Sequence, residues 1–447
     1  MVSNNSKKSD SILVFEYYTA SGIKDPTIIS EAVALIESLL NDLSSFLPEN
    51  NLDVHFLVSN DFADIGNSCG FIKNDNNDNN NELNNKKFNN SEFDNSESSN
   101  KKYGNKIIID TKLENWLEEN ISSFDSCIFI SAEENMNLYN LTKLIEDNNV
   151  KIYGSDSDST LLCSNKYSTF KYLQGIVNQP KTFRFTVCDE SPWKISIKNM
   201  LEFFDNNANN VNNDGNDSTT NNDSNDDEFK LIVKPIHGVD CQNMVLISNE
   251  EDIAKISETY EENSEILVQE FISGENLSVS LISDGKTAIP LTLNKQYLEI
   301  NNENQKYLGG ELPYNHPLKE TAFSIAKKAV ESIEGIKGFV GVDLIVKNYD
   351  DLDNPINPIN PINSINSNNI NNSNNHTKDF YFLEINSRFT TPYVGISKIA
   401  KFNIGRTIIK LLDNKIAIDS IQECTNSIDS NYVKFKKIGN DLDIEIL

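Results

Sequence analysis

The sequence predicts a mixed fold, with a parallel α/β domain followed by two α+β lobes that face one another. Three observations carry that expectation. Over residues 11–154, short apolar runs alternate with helically spaced ones, which is a βαβ pattern and so a parallel sheet. Over 155–265 and 266–447, helical patterns mix with strands rich in β-branched and aromatic residues. The 447 residues are also enough for two or three domains with a sizeable core.

The elements follow in order. Residues 11–15 (SILVF) read as a strand. Asp25 then supplies an N-cap and Pro26 a first helical residue, after which Ile29, Val33, Ile36, Leu40 and Leu43 recur at helical spacing. Residues 54–58, 107–109 and 127–131 are further strands, with helices near 111–119 and 134–148. The first strand ends in EYYTASG, not GxGxxG, so a dehydrogenase is disfavoured. The second block holds helices at 155–163 and 165–174, strands at 230–233 and 244–247, and a helix opening at Asn249. The third carries helices near 317–332 and 402–413 among its strands. Segments 74–100, 205–228 and 350–378 are nearly pure Asn, Asp and Ser, the last with the repeat NPINPINPIN. Too polar to bury a core, they read as disordered surface insertions. The expected domains are therefore 1–154, 155–265 and 266–447, each with one insertion.

Composition narrows the function classes. Hydrophobic residues make up 38%, and 67 acidic residues against 39 basic ones leave a net charge of −28. That field repels nucleic-acid phosphates, yet does not prevent a nucleotide from binding a local basic pocket with divalent metal. The six cysteines are scattered with no CxxC pair, as in a reduced cytoplasmic protein. The polar start MVSNNSKKSD leads straight into a strand, and no apolar run approaches a membrane span. A soluble cytoplasmic protein with no nucleic-acid or membrane partner is expected, and a homo-oligomer is compatible with it.

The chemistry lies in a succession of motifs. Lys166 sits near a helix start in CSNKYSTFKYL, and Lys234 ends a strand in LIVKPIHGVD, where an ammonium and turn N–H groups can meet phosphate oxygens. In ILVQEFISGENLSVSLI a connector joins two strands, with Gln269, Glu270 and Glu275 near the bend. Its main chain can meet an adenine edge while a carboxylate accepts from ribose hydroxyls. Asp343 interrupts the apolar strand GFVGVDLIV, and Glu384 and Asn386 alternate in FYFLEINSRFTTPYVG. Residues i and i+2 of a strand share a face, and acids inside apolar strands are costly without a partner. Three oxygen ligands from two strands suit Mg²⁺ or Mn²⁺, and Arg388 can hold a carboxylate or phosphate bidentately.

The order Lys166, Lys234, QEFISGE, GVD and EINSR resembles the ATP-grasp superfamily. The resemblance covers most of the ordered chain and implies an ATP-grasp fold, two α+β lobes clamping ATP, preceded by a Rossmann-like pre-ATP-grasp domain. It implies that Lys166 and Lys234 contact the nucleotide phosphates, and that Gln269, Glu270, Phe271 and Ile272 form the adenine hinge. Glu275 would be the ribose carboxylate, Asp343, Glu384 and Asn386 the metal ligands, and Arg388 the arginine steadying the acyl phosphate. Lys234 and Arg388 are the implied catalytic pair. The phosphate loop departs from the family, with HGVDCQN where small residues are usual.

The start ILVFEYYTASG, with QEFISGENLSVSL and LEINSRFTTPYVGI, is similar more narrowly to the archaeal tyramine–glutamate ligases of methanofuran biosynthesis. That implies phosphorylation of the γ-carboxylate of L-glutamate and displacement of phosphate by the amine of tyramine. Glu16, Tyr17 and Thr19 are candidates for the tyramine pocket. Two alternatives stay open: a ligase for another acid or amine, and an inactive nucleotide-binding protein.

Overall fold

A computed structural model describes residues 10–44, 52–67, 104–188, 192–211, 229–238, 243–301, 305–347, 377, 379–425, 428 and 431–447. The Asn-rich stretch 74–100, nearly all of 350–378, most of 205–228 and most of the HGVDCQN loop lie outside them.

The first unit is a five-stranded parallel sheet of β1 (Asp10–Glu16), β2 (Leu52–Ser59), β3 (Asn105–Ile109), β4 (Ser126–Ile130) and β5 (Lys151–Ile152). Its order is β3-β2-β1-β4-β5, so the chain reverses direction across the sheet between β1 and β4. In open α/β sheets that reversal places a crevice at the carboxyl ends of the two strands. Helices α1 (Tyr17–Ser21), α2 (Ile29–Ser44), α3 (Leu113–Asn120) and α4 (Asn137–Asp147) flank the sheet. The parallel sheet and the helical stripe are as predicted, with Ile36, Leu40 and Leu43 fully buried on α2. One expectation is corrected. Asp25 accepts from Thr27 N and Oγ1 and heads a turn, and the helix itself begins at Ile29.

Helices α5 (Ser157–Ser164) and α6 (Lys166–Tyr172) lead into a four-stranded antiparallel sheet of β6 (Thr182–Thr186), β7 (Leu231–Pro235), β8 (Val245–Ile247) and β9 (Glu265–Glu270), ordered β6-β9-β7-β8. Helices α7 (Pro192–Val211) and α8 (Ile253–Thr259) cover it. Two boundaries move here. β9 pairs with β6 and β7, so this lobe runs to the bend after Glu270 and does not end at 265. Helix α7 reaches seven residues into the predicted insertion, because Trp193, Ile197 and Leu201 anchor its first half in the lobe's core.

The third unit is a seven-stranded sheet of β10 (Glu275–Asp284), β11 (Ala288–Ile300), β12 (Gln305–Leu312), β13 (Lys337–Val346), β14 (Phe380–Asn386), β15 (Val433–Ile438) and β16 (Asp441–Ile446). Its order is β14-β13-β10-β11-β12-β15-β16. Helix α9 (Lys319–Glu331) packs on one face, and α10 (Pro392–Ile399), α11 (Ile404–Leu412) and α12 (Asp419–Thr425) follow. No helix among the described residues is long and apolar enough to cross a membrane.

The first and third units share one core. Ile12, Val14, Ile36 and Leu40 pack in the same buried cluster as Ile282, Phe339, Tyr393, Ile404 and Ile408. A buried carboxylate fastens this junction. Asp42 of α2 accepts from the Tyr393 hydroxyl at 2.9 Å and from the Gly405 amide at 2.8 Å. Burial raises its carboxyl to about 6, against the opposing pull of those hydrogen bonds. A carboxyl raised in the folded state binds its proton more tightly there than when unfolded. Its contribution is therefore fully present below pH 4 and is lost as pH rises towards 6. Relative to Asp42→Asn, which keeps an acceptor but cannot ionise, the wild type should lose about 3 kcal/mol across that window. Urea denaturation of both proteins at pH 4 and pH 7 measures this; parallel pH profiles would contradict it.

Candidate active site

Between the second and third units lies a cleft of about 430 Å³. Lys166, Lys234, Gln269, Glu270, Phe271, Ile272, Asp343, Glu384, Asn386 and Arg388 all line it, so ten of the fourteen residues named from sequence converge on one cavity.

Lys166 opens α6 directly after Asn165, whose side chain caps the helix by accepting from Ser168 N. Its own amide donates to Ile236 O, tying the helix start to the exit of β7. The Lys166 ammonium lies 2.9 Å from Glu384 Oε2 and donates to Gly238 O at 2.7 Å. Lys234, near the end of β7, adds its field at the same carboxylate.

The acidic side of the site is built by register. Asp343 on β13 stands opposite Glu384 on β14, and Gly341 stands opposite Asn386. The pairing slips between Asp343 and Leu344, so Leu383 is an extra residue and both it and Glu384 face the cleft. Asn386 Nδ2 donates to Asp343 Oδ2 at 3.0 Å, and Gln296 Nε2 to Asp343 Oδ1 at 3.1 Å. Gly341 sits in a tight place: a Cβ there would lie 3.0 Å from the Thr390 methyl, which would have to give way. Val342 and Leu344, pointing the other way, are fully buried in the core.

Electrostatics divides the carboxyl pair. Burial raises the Asp343 carboxyl to about 7, and the adjacent Glu384 charge adds to that. For Glu384, burial pushes upward too, but Lys166 and Lys234 outweigh it and hold the group below its ordinary value. Of the two, Asp343 therefore holds a proton more tightly than Glu384 does. Both causes that raise Asp343 would be offset by a cation between the two acids. Two carboxylates and an amide oxygen are also the hard donor set that Mg²⁺ or Mn²⁺ takes, so the residues fit a divalent ion. Among the described residues no set of three His, Cys, Asp or Glu side chains is gathered for a metal. The amide and phosphate oxygens would have to complete the shell.

The hinge follows β9. Gln269 is buried and donates to Thr182 Oγ1 at 2.8 Å. The Phe271 amide donates to Lys230 O, so it is taken by the lobe itself. Gly274 is forced by crowding, since a Cβ would fall 2.1 Å from Val346 O. Glu275 corrects the sequence reading. It lies on the sheet face away from the cleft, where Lys295 Nζ approaches it at 3.3 Å and the Tyr314 hydroxyl donates to it at 3.0 Å. The next residue, Asn276, lines the cleft together with Ser278. Strand alternation made that swap readable, had the pleat been counted backwards from the buried Leu277.

Arg388 reaches back to the first unit. Its Nε donates to Glu133 Oε2 at 2.6 Å, and Glu133 follows β4 at the reversal point of the parallel sheet. Glu133 is 6% exposed, and its Oε1 is buried without a hydrogen-bond partner among the described residues. Neither Glu133 nor the cleft-lining Glu31 was found from sequence, where nothing local marks them. The strand-end rule for parallel sheets points only to the neighbourhood of Glu133. Glu16, by contrast, is 2% exposed and caps α1 by accepting from Tyr18 N and Thr19 N. Neither it, Tyr17 nor Thr19 lines the cleft among the described residues.

The ATP-grasp domain family matches residues 163–392. The chain is 32% identical over 391 residues to the tyramine–L-glutamate ligase of Methanocaldococcus jannaschii, covering 86% of this chain and 84% of that protein. It is 28% identical over 408 residues to the tyramine–L-glutamate ligase of Methanocaldococcus fervens, covering 90% and 94%. Among solved structures, an ATP-grasp superfamily protein from Archaeoglobus fulgidus is similar with a TM-score of 0.55 at 20% identity, covering 98% of this chain and 99% of that one. This last likeness is one of fold.

Proposed function

The chain belongs to the ATP-grasp family, and from that premise we propose that it joins the γ-carboxylate of L-glutamate to tyramine, releasing ADP and phosphate. The observation that carries the reading is the single cleft that gathers two lysines, two carboxylates, an amide and an arginine. The similarity to tyramine–L-glutamate ligases supplies the substrates.

A carboxylate resists amines because its charge is delocalised and it lacks a leaving group. In the proposed first step a γ-carboxylate oxygen forms a bond to the γ-phosphorus of ATP, and the bond from that phosphorus to the bridging oxygen breaks, releasing ADP. The amine nitrogen then attacks the acyl carbon, the C–O bond to phosphate breaks, and the nitrogen's proton passes to solvent or to the departing phosphate. Lys166 and Lys234 neutralise charge on the phosphates, and Arg388, oriented by Glu133, holds the transferring group. The hinge from Gln269 to Ile272 seats adenine, and Asn276 takes the ribose role first expected of Glu275. Bound at Asp343, Glu384 and Asn386, a divalent ion would supply further neutralisation of the triphosphate.

The test is phosphate release with ATP, Mg²⁺, glutamate and tyramine, with the product weighed by mass spectrometry. Release with the pair and almost none with tyramine alone is expected. Stimulation by a different acid or amine would move the substrates but keep the ligase. Silence with every acid–amine pair would leave only a nucleotide-binding protein.

A further inference from the structure

Thr390, Thr391 and Pro392, which follow Arg388 closely in the chain, line the cleft together with Glu31. Glu31 comes from a different unit, the first turn of α2, and its carboxylate accepts a hydrogen bond from the Thr391 hydroxyl. Four carboxylates line the cleft among its described residues: Glu31, Glu270, Asp343 and Glu384. Asp343 and Glu384 face the lysines, and Glu270 sits at the hinge, accepting from the Lys181 amide. Glu31 alone among these comes from the first unit, and its hydrogen bond with Thr391 ties it to the segment that follows Arg388. The cleft thus holds the cationic Lys166, Lys234 and Arg388 and, apart from the two acids that face the lysines, an anionic group bonded to the segment that follows Arg388.

That combination of charges fits a substrate set in which a reacting anionic group is held at Arg388 while an ammonium meets Glu31. We propose that Glu31 is a specificity-determining residue that receives an ammonium group of a substrate, an inference that rests on the ligase reading above. Two substrates carry such a group, the α-ammonium of glutamate and the amine of tyramine in its protonated form, and the chemistry of recognition is shared. Glu31 also lies near the positive end of a helix dipole, a role that stabilises α2 without touching substrate. The two roles are separable, since only recognition of a ligand changes one Michaelis constant and not another.

The experiment compares the full-length wild type with Glu31→Gln, which keeps an acceptor for Thr391 but removes the charge. Wild-type turnover of glutamate with tyramine is the control; its absence would sink the ligase reading itself, with this inference going with it. With the control active, the variant should show a KM about 10- to 100-fold higher for one substrate. Its KM for ATP should stay within about twofold. Glutarate, which lacks the α-ammonium, separates the sources. A raised KM for glutamate, with the preference for glutamate over glutarate lost, assigns the α-ammonium. A raised KM for tyramine, with that preference retained, assigns the amine. Unchanged constants for both substrates, or an equal rise for ATP and both substrates, would overturn the proposal while leaving the ligase intact.

Discussion

Glu384→Gln is expected to reduce turnover by about 10³-fold or more while the protein stays folded. The substitution is nearly isosteric, so the strand and its bulge keep their shape, but it removes the negative charge that Lys166 approaches at 2.9 Å. It also takes away one of the two carboxylates proposed to hold a divalent ion. Phosphoryl transfer depends on positioning and charge neutralisation more than on covalent help, so losing this carboxylate acts on the transition state directly. The ion pair is only partly buried, its side chains being 17% and 29% exposed, which limits the stability loss. Phosphate release and a thermal melt measured together decide the matter. Full activity in the variant would remove Glu384 from the machinery, and a collapsed melt would assign it to the fold.

Arg388→Lys should be nearly as damaging, with kcat/KM for the acid substrate falling about 10²- to 10³-fold and the KM for ATP little changed. Lysine keeps the charge but not the planar fork. In the wild type one edge of that fork is committed, because Nε donates to Glu133 at 2.6 Å and Nη1 to Phe389 O at 3.2 Å. A lysine cannot satisfy Glu133 and face the cleft in the same geometry. Steady-state kinetics with each substrate varied in turn would show the split. An equal loss for ATP and acid would mean that Arg388 only supports the cleft wall.

Much of the architecture was readable because its signals are local. The apolar runs at β1, β2 and β4 and the stripe on α2 are periodic over one element each, and the sheet formed as those periods require. Helix α7 escaped notice because its second half is Asn-rich, and Asn favours turns over helix unless packing upstream holds it. The end of the second lobe was misplaced at 265 for a similar reason. A strand's sequence does not say which sheet it joins, and β9 pairs with β6 and β7.

The division at the active site has the same physical origin. Sequence by itself marked the side chains proposed to carry the chemistry: an acid inside an apolar strand, and Glu384 and Asn386 two residues apart, are recognisable from covalent spacing and burial cost. Tertiary structure decided the facing and the company of those groups. The pleat turned Asn276 to the cleft in place of Glu275, and the slipped register let Glu384 and Leu383 share it. Packing of the first unit on the third brought Glu133 to Arg388 across 255 residues and Glu31 to Thr391 across 360. Contacts at such separations follow from the packing of whole elements, which no short stretch of sequence encodes.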